Sequence, residues 1–205
     1  MPSREIDLRS QLGAYQARNE RERDHLERMK ELCNSVADPF ARRAFAPGHF
    51  TASAFILSPD RAELLLILHG KLGRWLQPGG HVDPADPDLV AAARREVHEE
   101  VGLVELELEE PGPFDLDVHD IPARKDEASH QHFDVRYLFR ARTREVTAAS
   151  DAKDARWVPL AQIDEQLADA SVARVVEKLR ARAAERAATL RLHATAPGST
   201  PPKPG

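Results

Sequence analysis

One cysteine, Cys33, stands among 205 residues, and the aromatic share is only 5%. A lone cysteine excludes an intramolecular disulfide framework and any zinc site built on several thiolates, and it fits a reducing compartment. Long apolar runs are also missing. The longest clean one covers residues 64–68, far short of the roughly 20 residues that a membrane span needs. The opening Met1-Pro-Ser-Arg-Glu lacks the apolar stretch of a signal peptide. A cytoplasmic protein without a membrane partner is the expectation. A basic excess is absent too: 29 Lys and Arg against 34 Asp and Glu give a formal charge of −5. Nucleic-acid binding leaves a basic footprint, so duplex nucleic acid is not an expected partner. What remains is a charged chain, 41% apolar, with length for one domain and a real core.

The organisation follows from periodicity. Residues 3–35 are dense in Glu, Arg, Gln and Leu and predict one or two helices, with Leu8, Leu12 and Tyr15, then Leu26, Met29 and Leu32, recurring at spacings of three and four. That stripe packs either on the same chain or on a second copy, so a homodimer stays open. Pro39 and Ala46-Pro47-Gly48 end this region. Short β-rich runs follow at 50–57 and 63–68, split by the turn residues Ser58-Pro59-Asp60 and predicting a hairpin. A helix is predicted at 88–101, strands at 104–109, 114–119 and 133–140, a short strand at 156–158, and helix again from 160 onward. The expected layout is an N-terminal helical extension over 1–46, a mixed α and β domain over 47–168, a C-terminal helix over 169–193 and a disordered tail over 194–205. Arg174, Lys178, Arg180, Arg182 and Arg186 alternate with Glu177 and Glu185 in that last helix, which reads as a solvated face.

The chemistry gathers in one stretch. On a helix, Glu96, Glu99 and Glu100 fall within an arc of roughly 100°. Like charges at such spacing repel by a few tenths of a kcal/mol per pair, so the cluster invites a cation as its partner. All-oxygen ligands favour a hard ion, Mg²⁺ or Mn²⁺, over zinc. Leu89, Ala93, Val97 and Val101 form the adjacent apolar stripe that would hold this helix on a sheet. Gly79-Gly80 just before it reads as a loop whose backbone approaches a ligand closely, and Gly102 just after it reads as a C-cap.

These residues resemble the signature of the Nudix hydrolase family, Gly-x5-Glu-x7-Arg-Glu-(apolar)-x-Glu-Glu-x-Gly-(apolar). The run Arg95-Glu96-Val97-His98-Glu99-Glu100-Val101-Gly102-Leu103 matches its second half at every specified position. The first half departs: counted from Gly80, the loop acid falls on Asp86, with eight residues rather than seven before Arg95, so Asp83, Asp86 and Asp88 all stay candidates. Trp157-Val158-Pro159-Leu160 is similar to the strand and turn that close such domains, and the resemblance covers about residues 50–166. It implies an α/β fold, a mixed sheet sandwiched between helices, here with extra N- and C-terminal helices. It also implies a Mg²⁺-dependent pyrophosphatase of the acid-anhydride class, cleaving the diphosphate linkage of a nucleoside diphosphate derivative by metal-assisted attack of water on phosphorus. Glu96, Glu99 and Glu100 would ligate the metal with the Gly80 carbonyl, Arg95 would orient the glutamates, and Glu99 or Glu100 would be general base. The altered loop acid motivates an alternative, a non-catalytic Nudix-fold module that binds or senses a nucleotide. An isomerase of isoprenoid diphosphates is disfavoured, because Cys33 lies in the N-terminal helical stretch.

Two further strands carry polar residues in phase. His132, Asp134 and Arg136 alternate with Phe133, Val135 and Tyr137, as Asp115, Asp117 and His119 do with Phe114, Leu116 and Val118. Such a face is either the wet side of an antiparallel sheet or the wall of a cleft. His130, His132, Asp134 and Arg136 are therefore candidate substrate contacts, together with Arg74 and Lys71 ahead of the glycines. His130-x-His132 is half of a zinc site, but no third ligand stands at a fixed spacing from it. Asp151 and Asp154 sit where some family members place a further acidic metal ligand. Trp75 is read as core.

Overall fold

The computed structural model describes residues 3–70, 73–150 and 152–194. Expectations placed on Lys71, on Asp151, on the Arg186 side chain and on the tail from 195 onward lie outside the described residues.

The N-terminal stretch forms two helices, α1 (Arg4–Ala14) and α2 (Glu20–Ser35), started by Ser3 and Asn19, whose side chains accept the Ile6 and Glu22 N–H groups. Among the described residues eight strands follow: β1 (Gly48–Leu57), β2 (Glu63–His69), β3 (Trp75–Leu76), β4 (Gly79–His81), β5 (Leu106–Leu108), β6 (Asp115–Ile121), β7 (His130–Ala141) and β8 (Ala152–Pro159). Helix α3 (Leu89–Val101) lies between β4 and β5, and α4 (Ala170–Ala194) ends the described chain. The strands join in one mixed sheet. At its centre β1 and β7 run parallel, from Gly48 opposite Gln131 to Leu57 opposite Arg140. Every other pairing is antiparallel: β4 and then β2 along the free edge of β1, β3 and β8 on β2, and β6 and β5 along the far edge of β7.

Alternation along the central strands gives the sheet two faces, each buried. Phe50, Ala52, Ala54 and Ile56 of β1, with Phe133, Val135, Tyr137 and Phe139 of β7, pack in one core with Leu89, Ala93, Val97 and Val101 of α3. Leu8 and Leu12 of α1 and Leu26, Met29 and Leu32 of α2 belong to that same core. Their stripe is thus consumed within the chain. On the other face Phe55, Leu57, Leu64, Leu66 and Leu138 meet Val172, Val175, Val176 and Leu179 of α4, whose three-and-four spacing lines one side of that helix. The result is the expected α/β/α arrangement.

Several local expectations need correction. Gly79-Gly80 is part of strand β4, because β1 supplies the pairing that two glycines do not favour by themselves. Trp75 and Leu76 form a strand on β2, and Trp75 is half-buried with the Arg156 guanidinium 3.9 Å from its ring centroid. β8 starts four residues earlier than predicted, held by β2, while β5 keeps only residues 106–108. The chain from 160 makes a single 3₁₀ turn, Leu160–Gln162, before α4 begins.

The polar phase of β6 and β7 is closed over at its acidic and arginine positions, while His119 stays exposed. Asp115, Asp117, Asp134 and Arg136 are all buried. The Arg136 guanidinium donates to Asp134 at 2.8 Å, Asp117 at 3.0 Å and Asp115 at 3.4 Å. Thr51 and Ser53 of β1 donate to the two oxygens of Asp134 at 3.1 and 2.8 Å. From α4, Arg174 reaches Asp115 and Asp117 at 2.9 and 3.1 Å, and Lys178 reaches Glu22 of α2 at 2.9 Å. Arg174 and Lys178 therefore turn inward, contrary to the solvated face expected of them, because buried carboxylates need their charge. Asp134 and Arg136 are closed off from substrate by the same contacts.

Removing one member of such a network leaves charges buried and unpaired, so Arg136→Met should lower unfolding stability by about 3–5 kcal/mol, read from urea denaturation; a loss below about 1 kcal/mol would contradict the network's role. Burial pushes the Asp117 carboxyl up, but Arg136, the His119 hydrogen bond and Arg174 outweigh it and hold the group well below the ordinary carboxylate range. The folded-state value lies under the unfolded one, so this contribution is complete above about pH 4 and is lost as pH falls further. Acid titration of the wild type should show this loss, reduced in Arg136→Met.

Candidate active site

Helix α3 is placed by its ends. Asp88 accepts the Ala91 N–H at 2.7 Å as N-cap, and Gly102, at φ 72°, closes the helix with its N–H on the His98 carbonyl. With Val97 and Val101 fixed in the core, Glu96 and Glu100 are turned toward β4. The Glu100 carboxylate, 7% exposed, accepts the Gly79 N–H at 3.0 Å. A Cβ at position 80 would lie 2.7 Å from the Glu96 carboxylate, so any other residue there would displace that carboxylate. The face predicted from helical geometry is thus pressed onto the strand that the sequence reading took for a loop.

Arg95 ties the arrangement together. Its guanidinium meets Asp86 at 3.0 Å, Glu96 at 2.9 Å, Glu99 at 3.2 Å and the His81 carbonyl at 2.8 Å. The Asp86 hydrogen bond, ahead of the one to Glu96 and against the opposing effect of burial, holds Arg95 well above its ordinary pKa. Of the three candidate loop acids, Asp86 is buried, pairs with Arg95 at 3.0 Å and accepts the Asp83 N–H at 2.8 Å, while Asp88 caps the helix and Asp83 lies 3.7 Å from Arg95.

Glu96 behaves otherwise than Asp117. Burial pushes its carboxyl up, Arg95 opposes this, and Glu99 and Asp83 add to the rise, so the net shift is upward. It is a carboxylate short of positive charge. All the donors of the cluster are oxygens, and the missing side chain at 80 keeps one approach clear. Glu96, Glu99, Glu100 and the Gly80 carbonyl therefore fit a hard divalent cation on chemistry.

The remaining candidates scatter. Arg74 is exposed just before β3, where its backbone carbonyl takes the His69 N–H at 3.0 Å, and β2 lies between it and β1. Asp154 accepts the neighbouring Ala155 N–H at 2.8 Å. His130 and His132 enter a cluster that sequence reasoning missed. Parallel pairing sets His49 beside His132, and His81 beside Thr51 projects to the same face. One nitrogen from each of His49, His81 and His132 lies within 4.8 Å of the others. His119 and His130 stack at its margin, with ring centroids 5.6 and 5.2 Å from that of His132. Burial first, then the Arg42 charge and neighbouring imidazoles, lowers the pKa of His81 to about 4, and burial followed by the neighbouring imidazoles lowers that of His132 to about 2. Burial lowers His49 as well. No local spacing announces this group, because its members come from strands far apart in sequence.

A family model described as the NUDIX domain matches residues 47–179. A protein of Lactococcus lactis subsp. cremoris (strain MG1363), named as a probable DHNTP pyrophosphohydrolase, is 35% identical over 101 residues, 48% of this chain and 58% of that protein. The match thus spans less than two thirds of that relative. Among solved structures, the binary complex of the C. elegans Ap4A hydrolase superposes with a TM-score of 0.50 at 23% identity, covering 66% of this chain and 98% of that one. A NUDIX-family hydrolase from Clostridium perfringens gives 0.49 at 23% identity, covering 64% and 97%. The signature helix, its arginine and the glycine strand all lie inside the stretch that the family model matches, and the chain belongs to the Nudix family.

Proposed function

We propose that this chain is a Mg²⁺-dependent hydrolase, with Mn²⁺ able to substitute, that cleaves the diphosphate linkage of a nucleoside diphosphate derivative. The observation that carries the reading is the set of helix carboxylates: Glu96 and Glu99 held by Arg95, and Glu100 held by the Gly79 N–H, against the Gly79–Gly80 strand. These glutamates and the Gly80 carbonyl would hold the ion. Bound there, Mg²⁺ supplies Lewis-acid neutralisation of the charge that develops on the diphosphate.

The protein's own groups do the rest. Arg95, held by Asp86 and the His81 carbonyl, fixes Glu96 and Glu99 in place before substrate arrives, so no reorganisation is needed during the reaction. The Gly79 N–H fixes Glu100. Glu99 or Glu100 takes a proton from the attacking water, whose oxygen forms a bond to phosphorus while the bridging P–O bond opposite breaks and the phosphate leaves. Glu99 is the more open of the two. The Asp86 contact with Arg95 supports the hydrolase reading over a non-hydrolysing sensor, since the altered loop still supplies an acid to the arginine.

The test is release of phosphate, pyrophosphate or monophosphate from a panel with Mg²⁺ or Mn²⁺. The panel holds nucleoside triphosphates, nucleotide sugars, ADP-ribose, dinucleoside polyphosphates and dinucleotide cofactors. The Lactococcus relative adds dihydroneopterin triphosphate. Glu99→Gln and Glu100→Gln should keep the fold by circular dichroism while turnover drops on the order of 10²–10³-fold, as expected for lost transition-state electrostatics. Folded variants with near-normal turnover would sink the assignment, and nucleotide binding without product across the panel would replace it with the sensor. Asp86→Ala should lower kcat more than it raises KM and cost about 1–3 kcal/mol of stability, since both Arg95 and the Asp83 N–H lose a partner. Asp83→Ala should leave turnover close to wild type; the reverse ranking would move the loop-acid role to Asp83.

A further inference from the structure

Three imidazoles converge where the starts of β1 and β7 and the end of β4 lie side by side. His49, His81 and His132 each offer a nitrogen within 4.8 Å of the other two. In a tetrahedral zinc site, Zn–N bonds near 2.0–2.1 Å put ligand nitrogens about 3.3 Å apart, so modest side-chain rotation closes the set. His49 is wholly buried, and its Nε2 has no hydrogen-bond partner among the described residues. Its other nitrogen, Nδ1, lies 3.2 Å from the Ala44 carbonyl. Donation there fixes the tautomer that leaves the Nε2 lone pair free, the arrangement typical of a metal-ligating histidine. A buried acceptor with nothing to accept is a cost to the fold unless something fills the place.

We propose that His49, His81 and His132 form a three-histidine site for a divalent transition ion, zinc by preference, separate from the carboxylate cluster. Neutral imidazoles suit zinc and are poor ligands for Mg²⁺, whereas the glutamates suit Mg²⁺, so the two sites sort their ions by chemistry. The zinc site has a mechanical consequence. β4 is only three residues long and pairs with β1 alone. An ion shared by β1, β4 and β7 staples that strand to the centre of the sheet. Gly80, next to His81, is the residue pressed against Glu96, and the His81 carbonyl is an anchor of Arg95. The site therefore positions the strand on which the carboxylate cluster rests.

The experiment uses untagged full-length protein stripped with chelator and reloaded with Zn²⁺ or Co²⁺. About one equivalent per chain should survive gel filtration by elemental analysis, with the visible absorption of low-symmetry, imidazole-bound Co²⁺, and zinc should raise the melting temperature. His81→Gln and His132→Gln should weaken zinc binding by at least about 100-fold, more than loss of an outer partner does. Glu99→Gln and Glu100→Gln should bind zinc as wild type does. His81 is half-buried on an edge strand, so His81→Gln, checked by circular dichroism, keeps the comparison meaningful if His132→Gln does not fold. No stoichiometric zinc in the wild type overturns the proposal. So does zinc that survives in folded His81→Gln and disappears in the glutamate variants. None of these readouts depends on hydrolase activity, so failure of one proposal leaves the other standing.

Discussion

Everything that acts in this molecule depends on the parallel register of β1 and β7. Ten consecutive pairs, from Gly48 opposite Gln131 to Leu57 opposite Arg140, join strands that are separated by residues 58–129. That pairing sets His49 beside His132 and puts Asp134 within reach of Thr51 and Ser53. It leaves the other edge of β1 free for β4, and through β4 for Gly79, Gly80 and His81. Parallel strands need a long crossover, and here the crossover itself carries α3. The central register is thus also what delivers the glutamate helix to its place. A slip of one residue would exchange the two faces of β7 and bury His132, Asp134 and Arg136 against α3.

The two acidic clusters on this frame are resolved in opposite ways. Around Arg136, four carboxylates, Asp115, Asp117, Asp134 and Glu22, meet three cations, Arg136, Arg174 and Lys178. Burial there is overcome and Asp117 is driven down. Around Arg95, Asp86, Glu96 and Glu99 contact a single guanidinium, with Asp83 close by, and Glu96 is driven up. Burial acts in the same direction on both groups, so the difference lies in the neighbours. The first cluster is nearly balanced by its own cations and holds α4 and α2 to the sheet. The second is left with negative charge that an added cation would neutralise.

How much of this was legible depends on how local each signal is. Helix α3 was readable to within a residue because Asp88 and Gly102 act within one turn of its ends. The glutamate arc followed from helical geometry alone. β4 was not readable, because two glycines have little strand preference and the pairing that makes them a strand comes from β1. Asp134 and Arg136 were misread for a related reason. Alternation gives their phase, but whether that phase is wet depends on α4, whose Arg174 and Lys178 are remote in sequence. The histidine cluster shows the same limit, since His130-x-His132 was visible while its partners His49 and His81 arrive through strand pairing.

The N-terminal helices belong to this frame rather than to its margin. Leu8, Leu12, Leu26, Met29 and Leu32 are all buried in the core that carries α3. At about 1.5–3 kcal/mol for each large apolar side chain, their burial is worth roughly 8–15 kcal/mol before entropic costs, comparable to the whole net stability of an ordinary domain. The link also reaches the site. Arg4 of α1 donates to the Asp83 carbonyl at 2.9 Å while its guanidinium lies over the Phe40 ring. Asp83 is the residue whose N–H closes the turn onto Asp86. The turn that presents Asp86 to Arg95 is therefore gripped from both sides, by α3 through Arg95 and by α1 through Arg4. A hydrophobic stripe that could have served an interface between subunits instead anchors the helix whose Arg4 holds the Asp83–Asp86 turn.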